Sequence, residues 1–210
     1  MATSINGNVR LTYGNHTHNE NYDGSTNAYT YTNQGSQYSA GSARATSSVA
    51  LDQGTIDGAE GLLLIKNVNT YGGLFLSMDG GSNWDIKIPA GFVNLISVGP
   101  DHAVYVKSAS PNHSGYTISE TPPTTGVITF GSTVSSAGEY IMTATSSPDH
   151  STTGPDFIVK VTEDGATTGT VYELDGTTVK KDLAATNSYT SSTIVSLTSF
   201  ADYRFTLTEQ

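Results

Sequence analysis

Cysteine is absent from the 210 residues. That excludes disulfides and every metal site built on thiolates, so stability has to come from core packing and from partners. Basic residues are few: 9 Lys and Arg stand against 19 Asp and Glu, a net charge of −10. Nucleic-acid binders draw their affinity from Lys and Arg set on phosphates, and anionic membrane surfaces recruit the same residues, so neither partner is expected. Charged residues of both signs make up only 13%, about half the ~25% of an ordinary globular domain. No apolar run approaches the ~20 residues that span a bilayer. The opening residues MATSINGNVR carry neither a basic n-region nor an apolar h-region. The expectation is therefore synthesis in a cytoplasm with no secretion signal. Strong helix formers are sparse, and no long segment sets apolar residues at helical spacing.

Thr, Ser, Gly, Tyr and Val dominate instead, and the pattern is that of strands. The densest apolar sequence lies in residues 60–97. Leu62, Leu63, Leu64 and Ile65 form an unbroken apolar run, which predicts a strand buried on both faces. Leu74, Leu76 and Met78 alternate with Phe75 and Ser77. Asp79-Gly80-Gly81-Ser82-Asn83 is a turn run, and Trp84, Ile86 and Ile88 alternate beyond it. Pro89-Ala90-Gly91 turns the chain into a further strand from Phe92. Upstream, residues 9–13 and 28–32 read as strands around a loop, and residues 34–48 fit either a strand around Tyr38 or a flexible arm. Downstream, residues 103–107 and 116–120 read as strands.

Thr121-Pro122-Pro123-Thr124-Thr125-Gly126 then breaks the pattern, because proline cannot donate to a ladder and favours extended chain. This places a boundary: an N-terminal domain at 1–120, a Pro-rich linker at 121–126 and a C-terminal domain at 127–210. The second unit reads as strands at 127–130, 139–145, 156–163, 170–174, 177–183, 192–197 and 203–208, with Asp164-Gly165 and Asp175-Gly176 as turns. The fold expectation is all-β with two β-sandwich domains, the first jelly-roll-like and the second Ig-like or another jelly roll.

Residues 45–120 carry a resemblance. Ile65-Lys66-Asn67 ending a strand, Asp79-Gly80-Gly81 in a turn, Ile86-Lys87-Ile88-Pro89-Ala90-Gly91 and the strand Ala103 to Lys107 together resemble a block found in β-sandwich structural proteins of tailed-phage virions. The resemblance implies a non-enzymatic virion protein, made in the host cytoplasm. Its first role would be capsid decoration: a cement protein on the outer head surface that clamps neighbouring capsid subunits. Its partners would then be the major capsid protein and copies of itself, as a homotrimer. The alternative is a tail or fibre adhesin that binds host glycans. Residues 121–210 carry no such motif.

Chemistry-bearing patterns are thin. His16-Thr17-His18, with Glu20 and Asp23, is a metal-type spacing if extended, but it sits among Asn and Gly as an exposed loop would. Asp79 to Asn83 lacks the EF-hand order and reads as a hairpin turn. His102, His113 and His150 stand isolated in predicted loops. No nucleophile elbow, phosphate loop or dinucleotide fingerprint occurs, so no catalytic residue, metal or cofactor is assigned. Tyr13, Tyr22, Tyr29, Tyr31 and Tyr38 crowd the first forty residues among Asn, Gln and Thr. Such tyrosines fit the edge of a β core, a protein interface or a glycan site. They are the candidate interface residues.

Overall fold

The computed structural model describes residues 7–13, 16–22, 36–53, 61–99, 103–118, 126–146, 156–181, 183, 189 and 192–209. Among them there are fifteen strands, no helix, and only antiparallel pairings. The protein is all-β. Strands β1 (Gly7–Tyr13) and β2 (His16–Tyr22) form a separate two-stranded ribbon. The other thirteen make two sheets of nine and four strands.

The last strand, β15 (Ile194–Glu209), organises the larger sheet. Its sixteen residues extend about 50 Å at ~3.3 Å each. Phe200 pairs with Glu139 of β12 (Gly138–Ser146) and with Arg44 of β3 (Ser36–Arg44), so those two strands lie on opposite edges of β15. One edge therefore carries β12 and then β5 (Gly61–Asn67). The other carries β10 (His113–Thr117) and then β3. Strand β8 (Val93–Val98) pairs beyond β5.

Alternation along β15 explains why one strand serves two cores. Val195 and Leu197 are buried in one apolar cluster, and Ala201, Tyr203, Phe205 and Leu207 in another. The residue between them with the same parity is Ser199, which is fully buried and donates its hydroxyl to Ser110 O. A polar residue at the midpoint interrupts the apolar row without breaking the period of two.

The first core is a two-layer packing. Strands β3, β15, β5 and β8 form one layer. The four-stranded sheet, in the order β4 (Val49–Ala50), β9 (Tyr105–Ser108), β6 (Gly73–Ser77), β7 (Ile86–Pro89), forms the other. Leu63, Ile65, Leu74, Leu76, Ile88 and Val106 meet between them. The second core is enclosed by one sheet in the order β10, β15, β12, β13 (Phe157–Val161), β14 (Ala166–Tyr172), β11 (Val127–Val134). An Ile118–Phe130 bridge joins the chain at its two ends, so this sheet curls round its own core. The two layers expected of this unit are made by the curling of a single sheet.

The expected cut at 121–126 does not describe how the cores are filled. Residues 121–125 lie outside the described residues, Ile118 packs in the second core, and residues 201–207 return to close the first. The strands expected at 192–197 and 203–208 are one strand, because its backbone stays paired from Ile194 to Phe200 with β12 and from Phe200 to Thr208 with β3.

Polar side chains fill the junction. Pairing with β12 ends at Phe200, and pairing with β5 begins at Tyr203. In the gap Asn69 donates Nδ2 to Phe200 O at 3.1 Å and accepts Asp202 N–H at 2.7 Å, while Val68 N–H bonds Asp202 O at 2.8 Å. Thr70 N–H reaches Glu139 Oε1 at 2.7 Å. Gly72, at φ +87°, lies so close to Gly138 that a side-chain carbon there would stand 3.1 Å from the Gly138 Cα. Glycine at both places lets the two units touch through backbone.

Candidate protein-docking face

Among the described residues, nothing packs over one broad sheet face of the first unit. Leu63, Ile65, Phe205 and Leu207 point into the core, so their neighbours on β5 and β15 point away from it. The register aligns these outward residues in rows across four strands. One row reads Tyr38, Thr206, Leu64, Leu95, and the next reads Ala40, Arg204, Lys66, Val93. Tyr38 is 64% exposed, Leu95 63%, Val93 47% and Leu64 45%; beside them Phe92 is 63% exposed. Tyr38, Leu64, Val93 and the stems of Lys66 and Arg204 enclose a shallow groove of about 150 Å³. Scattered apolar surface residues need no explanation, but a contiguous patch of them marks an interaction surface.

The run Leu62 to Ile65 is therefore not buried on both faces as the sequence suggested. Leu63 and Ile65 are buried, while Leu64 is open, because the second layer of this unit covers only one side of the sheet.

The charge on the face is local and opposite to that of the chain. Arg204 and Lys66 are directly paired across β15 and β5. Among the described residues no carboxylate forms an ion pair with either; the ion pairs present are Lys160–Glu139 and Lys180–Glu173. Like charges directly opposite destabilise a sheet. Arg44 lies further along the same face, and Asp202 is the acidic residue there.

Of the tyrosines singled out by sequence, Tyr38 lies in this face. Tyr13 pairs with His16, and Tyr22 with Gly7, at opposite ends of the β1–β2 ribbon. Tyr29 and Tyr31 lie outside the described residues. Leu64, Phe92, Val93 and Leu95 were missed. Their signal was apolar residues at both parities, in Leu62 to Ile65 and Phe92 to Ile96, within a chain otherwise rich in Ser and Thr.

Other chemistry-bearing residues are engaged within the fold, except that His113 Nε2 is buried without a hydrogen-bond partner. Asp79 accepts from Ser77 hydroxyl, Ser82 N–H, Asn83 N–H and Asn83 Nδ2, and the Asn83 backbone bond leads in holding its carboxyl down at about 2. That is turn chemistry, as the sequence indicated. His113 is not an isolated loop residue: it begins β10 and packs against Tyr116 and Tyr140. Tyr116 gives its proton to Thr133 O at 2.8 Å, so His113 Nδ1 donates to the Tyr116 oxygen, and burial lowers the pKa of the ring. The cleft between the units, about 210 Å³, holds Glu139 and Lys160; these pair at 3.7 Å and serve the junction. No group of three or more His, Asp and Glu fit for a metal ion occurs among the described residues.

Comparison of the chain with family models, with curated proteins and with solved structures finds no match in any of the three.

Proposed function

We propose that this is a non-enzymatic structural protein of a phage virion, a decoration protein that seats on the outer capsid surface. The observation that carries the reading is the uncovered face of β3, β15, β5 and β8, with Tyr38, Leu64, Val93 and Leu95 presented together. The resemblance of residues 45–120 to virion β-sandwich proteins supports the setting. The face supports docking on a protein rather than turnover of a small substrate, because it is broad, shallow and apolar.

Its size argues for several contacts at once. Four strands ~4.8 Å apart, each contributing about seven residues of ~3.3 Å, present roughly 400–450 Å². A standard interface takes about 800 Å² from each partner. One such face gives a weak contact, and copies linked as a homotrimer would gain avidity on a repeating lattice. Binding only to the assembled shell would then stabilise that shell by mass action.

The test is copy number and position on purified source particles, by antibody labelling in electron microscopy with quantitative mass spectrometry. Hundreds of copies spread over the head are expected. A few copies confined to the tail would overturn the reading and make host-glycan binding the next assay.

A further inference from the structure

Resting on the docking role of this face, we infer the chemistry of its partner: a protein surface that sets carboxylates against Lys66 and Arg204 inside an apolar rim. The two cations stand directly opposite each other on adjacent strands, exposed, with no acidic partner among the described residues. They are two of only 9 basic residues in a chain of net charge −10. Placing them side by side costs the free protein stability, and carboxylates from outside would remove that cost.

Other occupants fit less well. A second copy of the same face on a two-fold axis through the Lys66–Arg204 pair would set these cations on their own duplicates, and on any other two-fold axis a copy offers Asp202 alone as a carboxylate against Arg44, Lys66 and Arg204. Self-pairing therefore leaves most of the positive charge on the face unmatched. A nucleic acid or other polyanion needs a run of cations, whereas here the pair is bordered by Tyr38, Leu64, Val93 and Leu95, and the rest of the chain repels polyanions. A carboxylate-bearing apolar protein surface satisfies both rows: aliphatic and aromatic contact along Tyr38–Leu95, and charge-assisted bonds along Arg204–Lys66.

The probe is an eight-residue strand peptide whose one face alternates Leu and Glu and whose other face is Thr, so that both groups point the same way; it is titrated into the full chain and followed by amide chemical shifts. Its Leu/Lys counterpart is the control. The expected result is shifts confined to β3, β5, β8 and the second half of β15, with the acidic peptide binding at least about tenfold more tightly than the basic one. The double variant Lys66→Glu and Arg204→Glu, its fold checked by its amide spectrum, should reverse that preference. Equal affinity for both peptides, no binding, shifts elsewhere, or an unchanged preference in the double variant would overturn the inference. The same proteins are applied to source particles stripped of the native protein. Acid-selective peptide binding without particle binding would leave the partner chemistry standing and sink the capsid role. Particle binding that survives the charge reversal but not Leu64→Ser with Leu95→Ser would do the opposite.

Discussion

Asn69 is the most exposing test of how the two units are joined. Its side chain substitutes for a missing strand: it donates to Phe200 O and accepts from Asp202 N–H where β12 has ended and β5 has not begun. It is 5% exposed, and a third bond, from its own N–H to Asn67 Oδ1 at 3.2 Å, fixes its approach. Asn69→Ala strips both backbone groups of their partner at once. A buried polar group left unpaired costs about 1–3 kcal/mol. The Phe200 carbonyl bond is the more buried of the two, so the combined loss is set at about 2–4 kcal/mol. Urea unfolding followed by Trp84 fluorescence and by far-ultraviolet circular dichroism reads it, as a lower midpoint at an unchanged slope. Asn69→Asp should fail to rescue, since it keeps an acceptor for Asp202 N–H but sets an oxygen against Phe200 O. A loss below about 0.5 kcal/mol for Asn69→Ala, the range of ordinary surface substitutions, would refute the argument that Asn69 replaces the ladder at this point.

Three further outcomes follow from the same geometry. Residues 1–120 expressed alone should show no cooperative unfolding transition by calorimetry, because Tyr203, Phe205 and Leu207 complete the first core; a sharp transition would restore the simple two-domain cut. Asp79 and Asp175 are both held down to about 2 by turn hydrogen bonds, the bond from Asn83 leading in one and the bond from the Thr178 hydroxyl in the other. A depressed carboxyl contributes stability above its unfolded pKa that is lost as pH falls through the folded value, so the urea midpoint should drop between about pH 4 and pH 2, and less in the Asp79→Asn, Asp175→Asn double variant. Leu64→Ser with Leu95→Ser should change folding stability by less than about 1 kcal/mol, since both side chains are already open to water, while particle docking is lost in a cosedimentation assay.

The sequence spoke clearly where one face of a strand is buried and ambiguously elsewhere. The alternation in Leu74, Leu76 and Ile88 predicted their burial, and Phe157, Val159 and Val161 behaved the same way. Period-2 alternation reports which side of a strand is inward, not which core it faces. For that reason β15 looked like two strands, at 192–197 and 203–208: in the stretch between them Ser199 is an inward hydroxyl bonded to Ser110 O and Asp202 an outward residue at the junction. The open apolar face was hidden for a related reason. An apolar run such as Leu62 to Ile65 has the same appearance whether its second face is covered by the same chain or left open for another. Only the position of the four-stranded layer, on the side of Leu63 and Ile65, distinguishes the two.

That shared strand bears on how a docked molecule would hold its shape. Two units joined by a flexible linker move independently by default, and their interface resembles a transient contact. Here no linker carries the connection alone. One continuous strand runs through both cores, flanked at the crossing by the bonds of Asn69 to Phe200 and Asp202, Ser199 to Ser110, and Thr70 to Glu139. Glu139 is held in turn by Lys160, whose ammonium lies 4.8 Å from the Tyr172 ring centre. Relative motion of the units would have to break paired backbone along β15, not swing a tether. The orientation of the curled second unit is therefore fixed relative to the open face of β3, β15, β5 and β8, and under the proposed docking role copies arrayed on a regular surface would project it at one fixed angle.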